Sequence, residues 1–167
     1  DAPSTKRLSG GMEIGPITLR TVYKAKDGFV NLVFLVGPTV GPYTIRLFKW
    51  VEEEGMCPEE LRDIDWIGFG AQLTSDPKAP ELLNRGGEVL QDFIATTTKA
   101  ELLAGALSRN LILVPVMETV ELLHLGHFLE RNYLTDIEGL NYPGPVTRPA
   151  RSPMTTVVGP PRFKHQY

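Results

Sequence analysis

The chain has 167 residues, 42% hydrophobic and 22% charged, with a formal net charge of −3. That apolar share suits a folded domain with a buried core and excludes a wholly disordered chain, and the acidic balance argues against general nucleic-acid binding. A single cysteine, Cys57, excludes an internal disulfide framework, and no apolar run approaches the ~20 residues that span a bilayer.

No secretory leader pattern is visible, so a cytoplasmic protein is expected. The chain opens on Asp1 rather than Met, in a polar stretch, which suggests a piece of a longer polypeptide. Residues 1–15 (DAPSTKRLSGGMEIG) have no sustained period and are rich in Ser, Gly and Pro; they read as a linker. Ile17 to Val36 reads as a β-hairpin about Asp27-Gly28, a dipeptide suited to a two-residue turn. Folding about that pair places Tyr23 opposite Leu32, Val22 opposite Val33 and Thr21 opposite Phe34. The second strand is almost wholly apolar, so helices are expected to cover it on both sides.

Gly37 to Pro42 (GPTVGP) forms a tight loop before a helix. Gly37, Thr39 and Gly41 are candidates to meet a phosphate through backbone N–H groups. The loop lacks the lysine and spacing of a P-loop, and a plain strand-to-helix connection is the favoured reading. The helix spans Pro42 to Glu54, with Tyr43, Leu47, Trp50 and Val51 on one stripe and Gly55 just past its end. The Glu52-Glu53-Glu54 run points three ways on a helix, so a solvated end is expected rather than a metal or acid–base cluster. Cys57, just before Pro58, is assigned a packing role.

Pro58 to Trp66 is a short helix, Trp66-Ile67-Gly68-Phe69 an apolar landing point, and Gly70 to Pro80 irregular. Pro80 to Thr96 is a longer helix with Leu82, Leu83, Val89, Leu90, Phe93 and Ile94 inward, weakened or bent at Gly86-Gly87. Thr98-Lys99-Ala100-Glu101 is a capping box. Its helix runs to about Arg109, buries Leu102, Leu103, Ala106 and Leu107, and ends at a left-handed Asn110. Leu111 to Val116 is a short buried strand, and Pro115 suggests an edge position or the strand's exit.

Thr119 to Arg131 is predicted as one more helix, carrying Glu121, His124 and His127. Three-residue steps drift around a helix, so the three do not converge and no metal site is expected. Asn132 to Asn141 is expected as a strand or strand–turn that adds to the hairpin. From Tyr142 onward prolines and glycines dominate, which predicts an extended segment over 142–167. No acid follows Glu138, whereas Arg148, Arg151, Arg162 and Lys164 do. This tail reads as a solvated or docking segment, with a segment that meets an anionic ligand or partner as the alternative.

The fold class expected is α+β: a small antiparallel sheet built on the hairpin, with packed helices, over residues 16–141. No nucleophile-and-base signature stands out.

Three motifs carry a resemblance. The first is Tyr23-Lys24-Ala25-Lys26-Asp27-Gly28-Phe29-Val30. The second is Thr98-Lys99-Ala100-Glu101-Leu102-Leu103, followed by Pro115-Val116 and Glu118-Thr119-Val120-Glu121-Leu122-Leu123. The third is Arg131-Asn132-Tyr133, then Tyr142-Pro143-Gly144-Pro145. In this order and spacing they resemble class III CoA-transferases, the CaiB/BaiF family, over about residues 17 to 146. The resemblance implies a small α+β domain inserted in a larger Rossmann-like one, and two chains interlocked as a homodimer. It implies transfer of CoA from an acyl-CoA to a carboxylic acid through an aspartyl thioester. Coenzyme A would be a substrate, with no covalently bound cofactor, no nucleic acid and no membrane.

The matched motifs belong to the family's second half and its nucleophilic aspartate to the first. No Asp here is therefore assigned as catalytic, and this piece alone is expected to be inactive. The substrate or CoA-binding candidates are Gly37, Thr39, Gly41, Arg148 and Arg151. Racemase-type members place a Glu where Val36-Gly37-Pro38-Thr39 stands here. An acyl-CoA racemase-like enzyme and a non-catalytic interaction module are the alternatives.

Overall fold

Alternation and turn chemistry build most of the first half. In the computed structural model, residues 5–144 are described. Strands β1 (Thr5–Leu8), β2 (Gly11–Ile14) and β3 (Ile17–Arg20) form an antiparallel meander. Gly10 and Gly15 turn it at φ of 79° and 56°, a conformation that costs glycine little. The stretch expected as a linker is thus largely sheet: short alternating runs between Gly turns pair once a third strand is present.

At Thr21 the chain leaves this sheet for a second one. The Gly10 carbonyl accepts the N–H groups of Thr21 and Val22 and the Thr21 hydroxyl, at 2.8, 3.0 and 3.1 Å. The strand expected from Ile17 onward is therefore two strands in two sheets. The second sheet has the order β4 (Val22–Ala25), β5 (Gly28–Leu32), β6 (Leu113–Val116), all antiparallel.

The hairpin exists, with its register shifted by two. Tyr23 faces Val30 and Ala25 faces Gly28, so Lys26-Asp27 is the two-residue loop. A shift of two keeps every side chain on its own face, and Tyr23, Ala25, Val30 and Leu32 remain buried. Tertiary contacts select the turn, as the site geometry below shows.

Helix α1 (Gly41–Glu53) carries Pro in its first turn, and Gly55 follows at φ 72°. It buries Thr44, Leu47, Phe48, Trp50 and Val51. Single-turn α2 (Glu59–Arg62) and α3 (Phe69–Ser75) follow; α3 lies in the stretch expected to be irregular. Helix α4 (Ala79–Ala95) buries Leu83, Val89, Leu90, Phe93 and Ile94, and α5 (Lys99–Ser108) buries Leu102 and Ala106. Leu107, expected inside, is 70% exposed. Asn110 takes φ 52° after α5, as its position predicts.

Gly86-Gly87 does not break α4. A Cβ on Gly86 would lie 2.8 Å from Phe34 Cζ and 3.2 Å from Phe48 Cζ, while one on Gly87 would meet nothing within 4 Å. The first glycine admits an aromatic cluster. Phe34 meets Trp66 edge-on at 5.5 Å, and Phe48 stacks on Trp66 at 4.9 Å, both favoured geometries.

Helix α4 also seals strand edges with two carboxamides. Asn84 Oδ1 accepts the Thr18 N–H at 2.9 Å and its Nδ2 donates to the Pro16 carbonyl at 2.9 Å. Gln91 repeats the clamp on β4, accepting from Lys24 N–H at 3.1 Å and donating to its carbonyl at 2.9 Å. Each amide stands in for a missing strand, which is one way to blunt an open edge. On the other edge, Val33 N–H donates to the Ile112 carbonyl at 3.1 Å. Antiparallel alternation then turns Pro115, which has no N–H, to the open side.

Among the described residues, helices cover only the inner face of this sheet. On the outer face Phe29 is 48%, Val114 54% and Val116 41% exposed, contrary to the expectation of cover on both sides. Alternation, not the apolar count, decides which half of an apolar strand is buried.

The chain divides into two units, one ending at Val116 and the other starting at Met117. In the second, the helix expected over Thr119 to Arg131 is broken into α6 (Thr119–Leu122) and α7 (Gly126–Glu130), with Leu125 extended between them. Strands β7 (Leu134–Ile137) and β8 (Leu140–Pro143) pair as a separate hairpin and do not join the first. Glu138 and Gly139, at φ 56° and 84°, suit a type I′ turn. Tyr142 and Pro143, expected to open an extended segment, lie in β8; the rest of that segment, 145–167, lies outside the described residues. The fold is α+β, with small antiparallel sheets and packed helices. Among the described residues no helix is long and apolar enough to cross a membrane.

Candidate functional site

The Gly37–Gly41 loop follows the strand run and enters α1. Just ahead of it, the Leu35 carbonyl accepts the hydroxyl of buried Thr44 at 2.6 Å. Gly37, at φ 110°, donates its N–H to the Trp66 carbonyl at 2.9 Å, and Gly41 donates to the Gly37 carbonyl at 2.7 Å. A Cβ on Gly41 would stand 2.7 Å from the Trp66 carbonyl oxygen and 2.8 Å from Ile67 Cα. Two of the three candidates are therefore committed to the loop and its contact with Trp66-Ile67. Thr39 is exposed on the same loop. The N–H groups of both glycines point into protein, so the loop is a pinned connection rather than a glycine cradle for phosphate. Arg148 and Arg151 lie outside the described residues.

The loop flanks an apolar hollow of about 320 Å³. One wall is Ile14, Ile17 and Leu19 of the meander; another is Leu35, Val36 and Val40, on either side of the glycine turn. Leu73 of α3 and Leu83 of α4 complete the lining. Every lining side chain is aliphatic, and none can donate or accept a hydrogen bond. Of the meander residues in the lining, Ile14 falls in the stretch expected as a linker, whose alternation is broken by glycines, whereas Ile17 and Leu19 fall in the expected first strand of the hairpin; none of the three was singled out as a site residue.

A second feature joins two distant motifs. Asp27 Oδ1 accepts the Lys99 N–H at 2.7 Å across 72 positions, and Lys26 N–H donates to the Thr97 carbonyl at 3.0 Å. The hairpin turn thus caps the N-terminus of α5, where a carboxylate is favoured by unpaired amides and the helix dipole. Lys99 is buried; its Cδ would lie 3.1 Å from a Cβ on Gly28, and its Nζ donates to the Val116 carbonyl at 3.4 Å. Thr98 Oγ1 accepts the Glu101 N–H at 3.3 Å, and Glu101 Oε2 accepts the Thr98 N–H at 3.0 Å and its hydroxyl at 2.6 Å. The Thr98 side-chain bond, then the backbone one, hold the Glu101 carboxyl below its ordinary value.

The remaining candidates for chemistry are dispersed. Glu52 pairs with Arg62 at 3.0 Å, Glu53 with Arg109 at 2.8 Å, and Glu54 accepts the Trp50 indole N–H at 3.3 Å. Burial, then Glu52, pushes the Cys57 thiol up, which disfavours the nucleophilic thiolate. Among the described residues no group of three or more His, Cys, Asp or Glu is placed to hold a metal ion. No protein-family model and no curated protein matches the chain.

Proposed function

We propose that this chain is the small-domain part of a cytoplasmic class III CoA-transferase, which moves CoA between carboxylic acids with its nucleophilic aspartate outside these 167 residues. The observation that carries the reading is the joint at Asp27. The Asp-Gly hairpin and the Thr98-Lys99-Ala100-Glu101 segment, two of the motifs on which the resemblance rests, meet through the Asp27–Lys99 hydrogen bond. Pro115-Val116, from the same second motif, pairs with Phe29 and Val30. Motifs scattered along a chain by chance have no reason to share one hydrogen-bonded joint.

In this reading the domain closes over an acyl-CoA held mainly by the larger part of an interlocked dimer. The carboxylate nucleophile attacks the thioester carbonyl and expels the CoA thiolate. The thiolate then attacks the resulting anhydride to give aspartyl-CoA and release the first acid. The open apolar face at Phe29, Val114 and Val116 is in keeping with further polypeptide docking there.

The test uses the natural protein. It is expected to exceed 18.5 kDa and to exchange CoA between a thioester and a free acid. Borohydride should convert one trapped aspartyl thioester to homoserine, located by peptide mass spectrometry outside residues 1–167. An absence of CoA exchange, or a reduced aspartate within this stretch, refutes the proposal.

A further inference from the structure

We infer that the hollow beside the Gly37–Gly41 loop receives the saturated chain of a neutral aliphatic acyl group; assigning that chain to an acyl-CoA rests on the function proposed above. Its volume of about 320 Å³ is about twice that of a cavity that takes benzene, which corresponds to a chain on the order of six to ten carbons. The lining is branched and aliphatic throughout, with no ring to stack on a planar ligand and no charged or hydrogen-bonding side chain. A dicarboxylic or hydroxylated acyl group placed there would lose its water and find no side-chain partner. Such a loss disfavours binding by about 10- to 100-fold per group. Leu35, in the lining, is 40% exposed, so the hollow opens to solvent there and the polar end of the ligand can leave it. The walls come from the meander, the loop and two helices, so the shape depends on the folded unit rather than on any one segment.

The experiment uses 1-octanol, a neutral alkyl probe, with the 167-residue chain and the natural protein. Saturation-transfer NMR should show saturable binding to both. The exposed-site variant Leu35→Trp should weaken it at least tenfold, and Ile17→Phe, inside the hollow, should do the same if Leu35→Trp fails to fold. In the natural enzyme, CoA exchange should favour octanoyl-CoA over succinyl-CoA by tenfold or more. Octanol binding that ignores both variants overturns the inference, as does binding to the short chain but not to the natural protein, because the hollow would then be filled by polypeptide. Exchange favouring succinyl-CoA overturns it while leaving the transferase reading intact. Octanol captured in the hollow without any CoA exchange overturns the transferase reading instead.

Discussion

Replacing Tyr23 by Phe should stabilise the protein. Tyr23 is fully buried on the inner face of β4, and its hydroxyl has no hydrogen-bond partner among the described residues. An orphaned buried polar group costs about 1–3 kcal/mol, so Tyr23→Phe should gain about 1 kcal/mol or more at neutral pH. For a chain of 167 residues that is about 2–4 °C in Tm per kcal/mol. Burial pushes the phenol up from 10.0 to about 12, against a smaller opposing effect of Arg20. Above pH 10 the unfolded tyrosine ionises while the folded one keeps its proton, so stability falls as pH rises toward 12. Two units correspond to roughly 3 kcal/mol, a loss the Phe variant does not share. Urea unfolding followed by tryptophan fluorescence, repeated between pH 7 and 11.5, reads both effects. The reasoning fails if Tyr23→Phe is less stable at pH 7, or if the gap between the two proteins does not widen above pH 10.

Adjacent glycines in α4 should respond with opposite signs. Gly87→Ala should stabilise by about 0.5–1 kcal/mol through helix propensity, whereas Gly86→Ala should cost about 1–3 kcal/mol because its Cβ meets Phe34; equal responses in urea titrations would contradict the packing described. Asp27→Ala should cost about 0.5–2 kcal/mol by uncapping Lys99. A double-mutant cycle with Thr98→Ala should show coupling, since both side chains serve the first turn of α5. Glu101, whose folded carboxyl is held low by Thr98, contributes stability present above its unfolded value and lost as pH falls through the lower folded value. The protection of the Thr98 amide, judged from its exchange rate relative to the intrinsic rate at each pH, should therefore fall on acidification, and a protection factor unchanged between pH 5 and 3 in Glu101→Gln serves as the control.

Local chemistry was enough to determine the capping box at Thr98, the left-handed Asn110, the limits of α1 and α4 and the α+β class. Each depends on neighbours in sequence: a side chain reaching an amide three positions away, a proline without an N–H, an apolar stripe of period 3.6. What tertiary structure decided lies where two local solutions compete or where a partner is distant. The hairpin register is one case, because the Lys26-Asp27 turn is tied to the start of α5 by its hydrogen bonds with Thr97 and Lys99. Gly86 is another, since a gap for Phe34 and a helix bend look alike in sequence. The meander of residues 5–20 and the hollow it walls are a third: strands of four residues hold only when paired, and an aliphatic pocket exists only once Ile14, Val36 and Leu73 are brought together from distant parts of the chain.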